Sequence, residues 1–406
     1  MRYAAILPWI CGVLGVAYLV TAAQVVVHRA RFDSRRRLLR QLEALLPPSN
    51  PSETAERDDQ ARAVAFLARQ PGSILLRLAA ESTMSLAAHE ALAASLLARI
   101  GHQAAHRDAS SRKNGWRRFA ALRILTYADR EAAWVHLERA LVDGDPEVKA
   151  ATVTLLGQVA DRRAAMLLVE AMTANRYARS RIATSLQACQ LDIGDLIVPL
   201  LAAPDSQLRY WGAILIRRYP VTSSLEARLG ELAEDPDPTV RKAAVETLGV
   251  AGLPGSIPTL RARLLDPVPF VRAHAARALG SMCAVAAVDA ISPLLADGDW
   301  SARSSAKQAL EAMGPAVVPT VLKMLSHADG FAKNGAAEVL QNLGVFEQLV
   351  EQEALGAATI EHLRICELLA RAGGVPMWDT VILRLSPEAQ GRARQILASM
   401  KLAPVF

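Results

Sequence analysis

The strongest constraint on this chain is that it keeps rewriting itself. Asp235-Pro-Asp-Pro-Thr-Val-Arg-Lys-Ala-Ala-Val-Glu-Thr-Leu-Gly249 is the clearest copy of a motif anchored on Val240-Arg241, with alanines at the fourth and fifth places and Leu248 at the ninth. The anchor returns at Trp116-Arg117, Val148-Lys149, Ala178-Arg179, Leu208-Arg209, Val271-Arg272, Ala302-Arg303 and Ala332-Lys333, and more faintly at Leu363-Arg364 and Ala393-Arg394, always after 30 to 32 residues. Units of this length cannot bury an apolar face alone and must stack on their neighbours. The period therefore predicts an all-α solenoid of helical hairpins over residues 114–406. Composition agrees: 52% apolar residues with only 5% aromatics leaves Ala, Leu and Val to build the interior, which suits close helix-on-helix packing. No stretch shows the sustained alternation of a strand.

Each hairpin has a turn rich in Asp, Gly and Pro, as in Val142-Asp-Gly-Asp-Pro146 and Glu234-Asp-Pro-Asp-Pro238. Aspartates lie three residues before the anchor at 145, 205, 237, 299 and 329, and five before it at 143, 235, 266 and 297. A turn aspartate can cap its own helix and accept charge-assisted bonds from the arginine of its own or an adjacent unit. The expectation is a structural ladder that sets register, built from Arg209, Arg241, Arg272 and Arg303 with Asp145, Asp205, Asp237 and Asp299. A row of arginines gripping phosphate is the alternative; the recurrence of carboxylates beside the cations argues against it.

The turn aspartates, the Val-Arg cores (Val240-Arg241 with Ala243-Ala244; Val271-Arg272 with Ala275-Ala276) and the Leu-Gly finishes (Leu248-Gly249, Leu279-Gly280) resemble HEAT repeats, specifically the short kind of about 31 residues also found in phycobilin-lyase-like proteins. The resemblance covers about residues 114–400. Asn175 and Val268 depart from it by replacing the aspartate three before the anchor, and the last two units lack that aspartate. No motif is present onto which lyase residues could be carried. The resemblance implies a binding scaffold whose second helices line the concave side, with the third and seventh places outermost: Arg118, Tyr210 and Lys242 among the third, Leu122, Ile214, Glu246 and Arg277 among the seventh. Tyr210, Trp211, Ile214, Lys242 and Arg277 form a mixed aromatic, apolar and cationic patch, the residue types enriched where proteins bind proteins.

The N-terminus carries a different signal. From Tyr3 to Val27 no residue is charged, long enough to span a hydrocarbon core of about 30 Å. Arg29, Arg31, Arg35, Arg36 and Arg37 follow it, while Arg2 alone precedes it, so the positive-inside bias puts the N-terminus outside and the rest in the cytoplasm. The expected organisation is a transmembrane anchor at 1–28, a basic juxtamembrane segment and linker at 29–59, a helical cap region at 60–113 and the repeat array at 114–406. The net charge of +6 belongs to this end: beyond residue 40, 39 basic residues balance 39 acidic ones. Such a neutral array argues against nucleic acid, whose best local support is Arg107, Arg112, Lys113, Arg117, Arg118 and Arg123.

Catalytic motifs are missing. There is no phosphate-binding glycine loop, no nucleophile elbow and no H-E-x-x-H, since His89-Glu90 is followed by Ala-Leu-Ala. Cys11, Cys189, Cys283 and Cys366 are too scattered for a disulfide framework. His102 and His106 share a helix face near Asp108 but supply too few ligands for a metal. The reading is a membrane-tethered scaffold, not an enzyme, that binds a membrane-associated protein partner, with no metal, cofactor or small-molecule substrate. A nucleic-acid-binding array comes second and an enzyme of unrecognised chemistry third.

Overall fold

A computed structural model describes residues 86–111, 115–354 and 385–399, with isolated positions elsewhere. Every regular element among the described residues is helical. The predicted membrane span, the linker apart from Arg37 (helical and exposed) and the repeat anchored at Leu363 apart from Ile365, Leu368 and Leu369 lie outside them. Among the described residues no helix is long and apolar enough to cross a membrane.

The chain divides into two compact units, residues 1–191 and 192–406, a boundary that falls inside the span the periodicity treats as one array. The first unit contains α1 (Leu86–Ile100), α2 (His102–Ala109), α3 (Gly115–Ala128), α4 (Arg130–Leu141), α5 (Pro146–Gln158), α6 (Arg162–Thr173) and α7 (Arg179–Ala188). The second contains α8 (Gly194–Ile197), α9 (Ser206–Leu215), α10 (Ser223–Leu232), α11 (Pro238–Ala251), α12 (Ile257–Arg263), α13 (Pro269–Ser281), α14 (Val288–Ile291), α15 (Trp300–Ala312), α16 (Val318–Met324), α17 (Gly330–Asn342), α18 (Val345–Ala354) and α19 (Pro387–Ser399). The second helices α9, α11, α13, α15 and α17 carry the anchors. The first helices α8 and α14 are short because Pro199 and Pro293 lack an amide donor, and the chain continues as 3-10 turns over Val198–Ala202 and Ser292–Ala296.

The anchors and small aliphatics fill the interior. Val240, Ala243, Ala244 and Leu248 are at most 1% exposed, as are Val271, Ala275, Ala276 and Leu279. In the first repeat the buried set is Ala120, Ala121 and Leu125, so its anchor is Arg117-Arg118, one residue later than Trp116-Arg117. Trp116 is apolar but partly exposed, with the Arg117 guanidinium 5.8 Å from its ring centre. This shift takes Arg118 and Leu122 out of the outward-facing third and seventh places; both are buried.

The Leu-Gly finish has a packing cause. A Cβ on Gly249 would lie 2.6 Å from Ala278 Cβ, and one on Gly280 would lie 2.6 Å from Ala309 Cα. Consecutive second helices α11, α13 and α15 therefore touch backbone to small side chain, which no larger residue permits. The helix of the clearest copy ends three residues beyond Gly249, at Gly252, whose φ of 66° is left-handed.

Aspartates three before the anchor cap their helices. Asp145, Asp205, Asp237, Asp299 and Asp329 each accept an N–H from the first turn of α5, α9, α11, α15 or α17. In α13 this place is Val268, which makes no side-chain cap, and Asn175 takes a left-handed φ of 52° instead. Two stability changes are expected in urea melts of the full chain. Gly280→Ala should lose about 1–3 kcal/mol by overpacking; an unchanged midpoint would mean the two helices part freely. Val268→Asp should gain about 1 kcal/mol by supplying the missing cap, and no gain would show that Pro269 and the Asp266 turn already suffice.

Candidate partner-binding surface on the second helices

In the second unit the arginines of three successive anchors, Arg209, Arg241 and Arg272, each join two turns. Arg241 donates Nε to Asp266 Oδ2 at 2.8 Å and Nη2 to Asp266 Oδ1 at 2.9 Å, while its Nη1 donates to the carbonyls of Asp235 and Pro236 in its own turn. Arg209 repeats this with Asp235 at 2.6 and 2.9 Å, and Arg272 with Asp297 at 2.7 and 2.7 Å. In the first unit Arg118 Nη2 donates to Asp143 Oδ1 at 3.0 Å. The ladder carboxylates are thus Asp143, Asp235, Asp266 and Asp297, five before the next anchor. Asp145, Asp205, Asp237 and Asp299 are engaged by their own helix N–H groups, although Asp145 also comes within 3.7 Å of Arg118. The division has a local cause: each ladder carboxylate accepts the N–H two residues on, as Asp235 does from Asp237, which holds it at the entry of the turn.

Burial opposes ionisation of Asp266 and Asp297, yet the bonds from Arg241 and Arg272 outweigh it and hold both carboxyls below their ordinary range. Donating to the aspartate likewise raises Arg209, Arg241 and Arg272 above theirs. These groups are occupied in keeping register. They leave the second-helix faces as the surface open to a partner.

On that face Tyr210 and Trp211 of α9 form an edge-to-face pair with ring centres 5.0 Å apart. Both are half-buried, as are Ile214 and Lys242, while Arg277 is exposed. A network that the repeat pattern did not disclose runs between them. Glu246 of α11 accepts from Arg217, one turn beyond Ile214, and pairs at 2.7 Å with Nδ1 of His274, one turn before Arg277. Lys242 lies 3.7 Å from the same carboxylate, and Arg217 Nε also donates to Thr247 Oγ1. Burial would raise the Glu246 pKa, but the bonds from His274 and Arg217 take it down to about 2. The only sign of this network in the sequence is His274, which stands at the fourth place where the clearest copy has alanine.

The other expected features belong to the first unit. His102 approaches Asp129 at 3.7 Å, whereas His106 Nδ1 faces His136 Nε2 at 2.9 Å, so the two histidines serve different contacts. Among the described residues no group of three or more His, Cys, Asp or Glu is arranged to hold a metal. Of the basic cluster considered for nucleic acid, Arg118 and Arg123 are buried, and Arg112 and Lys113 lie outside the described residues.

A sequence model of the family described as HEAT repeats matches residues 194–280 and 266–341, within the second unit, so the repeats of that span are of the HEAT kind. No curated protein matches the sequence. Solved structures similar to the chain include an engineered protein, 19% identical, with 90% of this chain and 99% of that one covered and a TM-score of 0.38. The complex of CpcE and CpcF of phycocyanin lyase from Nostoc sp. PCC7120 is 22% identical, with coverage of 53% and 90% and a TM-score of 0.32. Kap95p, from a structure with RanGDP, is 13% identical over 90% of this chain and 55% of its own, with a TM-score of 0.47.

The ladder has a measurable energetic role. Arg241→Ala leaves the Asp266 carboxylate, whose side chain is 0% exposed, without its bidentate donor. It should destabilise the chain by about 3–5 kcal/mol, the range for removing one partner of a buried pair. Denaturation that matches the parent would remove the ladder's role in stability.

Proposed function

We propose that this chain is a membrane-tethered scaffold whose second helices α9, α11 and α13 hold a membrane-associated protein partner. The observation that carries the reading is the Tyr210–Trp211 pair, left half-exposed on a face that the Arg217–Glu246–His274 network spans from the 3-10 turn after α9 to the second helices α11 and α13. Paired charges fix this face in shape before any partner arrives, and preorganised aromatic surface is what a binding hot spot requires. Lys242 and Arg277 give the rim a positive character suited to an acidic partner surface.

Tethering rests on the uncharged run Tyr3–Val27 and the arginines from Arg29 to Arg37. On this reading the N-terminus lies outside an inner membrane and the repeats lie in the cytoplasm. Holding scaffold and partner in one membrane raises their effective concentration without any added contact. No catalytic role is proposed: Glu246 is held by Arg217, His274 and Lys242 and is not free to act as a base.

A photo-crosslinking residue at position 210 of the full chain, expressed in its native cells, tests both halves. A single adduct in the membrane fraction is expected, and Arg277→Glu should reduce its yield about tenfold, equivalent to about 1.4 kcal/mol of binding. Adducts confined to soluble proteins, or a yield indifferent to Arg277→Glu, would refute the proposal.

A further inference from the structure

The arginine ladder of the second unit stops one carboxylate short. Arg303 keeps the half of the arrangement that fixes the guanidinium, with Nη1 donating to the carbonyls of Asp297 at 2.6 Å and Gly298 at 3.1 Å, as in Arg209, Arg241 and Arg272. The place that holds Asp235, Asp266 and Asp297 in the earlier rungs is His327 here. His327 keeps the turn, since its Nδ1 accepts the N–H of Asp329 just as those carboxylates accept theirs. It brings no anion. Among the described residues no carboxylate accepts from Nε or Nη2 of Arg303, the edge that binds bidentately in the other rungs. The guanidinium carbon instead lies 4.4 Å from the centre of the Phe331 ring, which supports its face and leaves that edge open.

Two exposed aromatics stand on the helices that meet at this rung. Phe331 is 62% and Trp300 73% exposed at the starts of the two helices that flank the rung, α17 and α15. Exposed large aromatics on the two helices of an anchored guanidinium that lacks a bidentate carboxylate match what a short acidic peptide would need: a fork for its carboxylate and rings for the residues on either side. The three completed rungs show that this geometry accepts an aspartate carboxylate at 2.6 to 2.9 Å.

We propose that Arg303, Trp300 and Phe331 form a receptor for an extended protein segment bearing an Asp or Glu side chain flanked by apolar residues, the carboxylate completing the rung that His327 leaves open. The site lies at the turn edge of the second unit and uses none of the residues of the α9–α13 surface, so it stands or falls separately from that reading.

The test is a random linear dodecapeptide library selected against the detergent-solubilised full chain. Affinities of the recovered peptides are then measured as fluorescein conjugates by anisotropy. Recovered peptides should share an Asp or Glu beside an aromatic or aliphatic residue, and replacing that acid by its amide should weaken binding at least tenfold. His327→Asp supplies the internal carboxylate: it should weaken peptide binding at least tenfold while raising the melting temperature. Arg303→Lys, which retains charge but not the fork, should weaken it as well. Tyr210→Ala with Arg277→Glu should leave the affinity unchanged. An empty selection, peptides without a common acid, equal affinity for the His327→Asp chain, or loss only in the Tyr210/Arg277 variant would each overturn the proposal. So would a concentration-dependent dimer in sedimentation that His327→Asp abolishes, because the occupant would then be a second copy of the chain.

Discussion

The second unit depends on a guanidinium that reaches in two directions at once. One nitrogen of Arg241 is held by two carbonyls of its own turn, and the opposite edge grips the carboxylate that opens the next turn. A hydrophobic core of alanines and leucines is nearly featureless along a stack and would tolerate slippage between hairpins. The planar fork is intolerant, because a bidentate pair is lost by a shift of about one ångström. Close crossing supplies the complementary restriction: Gly249 against Ala278 and Gly280 against Ala309 let the helices approach only where both partners are small. Fork and glycine together select one register out of many with similar apolar burial.

How much of this was legible follows from what repeats. The hairpins, the buried Ala and Leu positions and the caps at Asp145, Asp205, Asp237, Asp299 and Asp329 recur at a fixed spacing, so a single chain already contains many readings of the same rule. The pairing of the ladder was harder. In three of the turns two aspartates stand together (143 and 145, 235 and 237, 297 and 299), both near the arginine in sequence, and spacing alone does not say which one faces the preceding repeat. Three-dimensional stacking decides it: the partner is 25 residues ahead of Arg241 and Arg272, and 26 ahead of Arg209. The first repeat misled for a chemical reason, since Trp116 has the apolar character of an anchor but lies on the surface, and Arg118 behind it is the rung.

The surface network was nearly invisible because it does not repeat. Counted from their anchors, Arg217 stands at the tenth place, in the 3-10 turn Ile216–Arg218 that follows α9, Glu246 at the seventh and His274 at the fourth, so the three meet only where successive repeats are offset by one turn each. No fixed period marks a diagonal. Tyr210 and Trp211 could be singled out by residue type, but the charges that hold the face between them and Arg277 needed the packed helices to be found.

These observations separate two kinds of position. Residues that keep register lie in the turns and under the helices, and they are the ones the repeat conserves within the chain. Residues free to differ lie on the outward faces, where changing them leaves the stack intact. Function in such an architecture should then concentrate where the internal pattern breaks without breaking the fold. Trp211 and His274 both occupy a fourth place that holds alanine in the clearest copy, and each still packs half-buried within a well-formed helix. His327 preserves its turn while withdrawing the carboxylate. A departure that retains backbone geometry but changes chemistry is difficult to ascribe to folding, because the regular residue already satisfies every local requirement. Departures of that sort on α9 and α13, and in the turn before α17, are the ones on which both proposed surfaces rest.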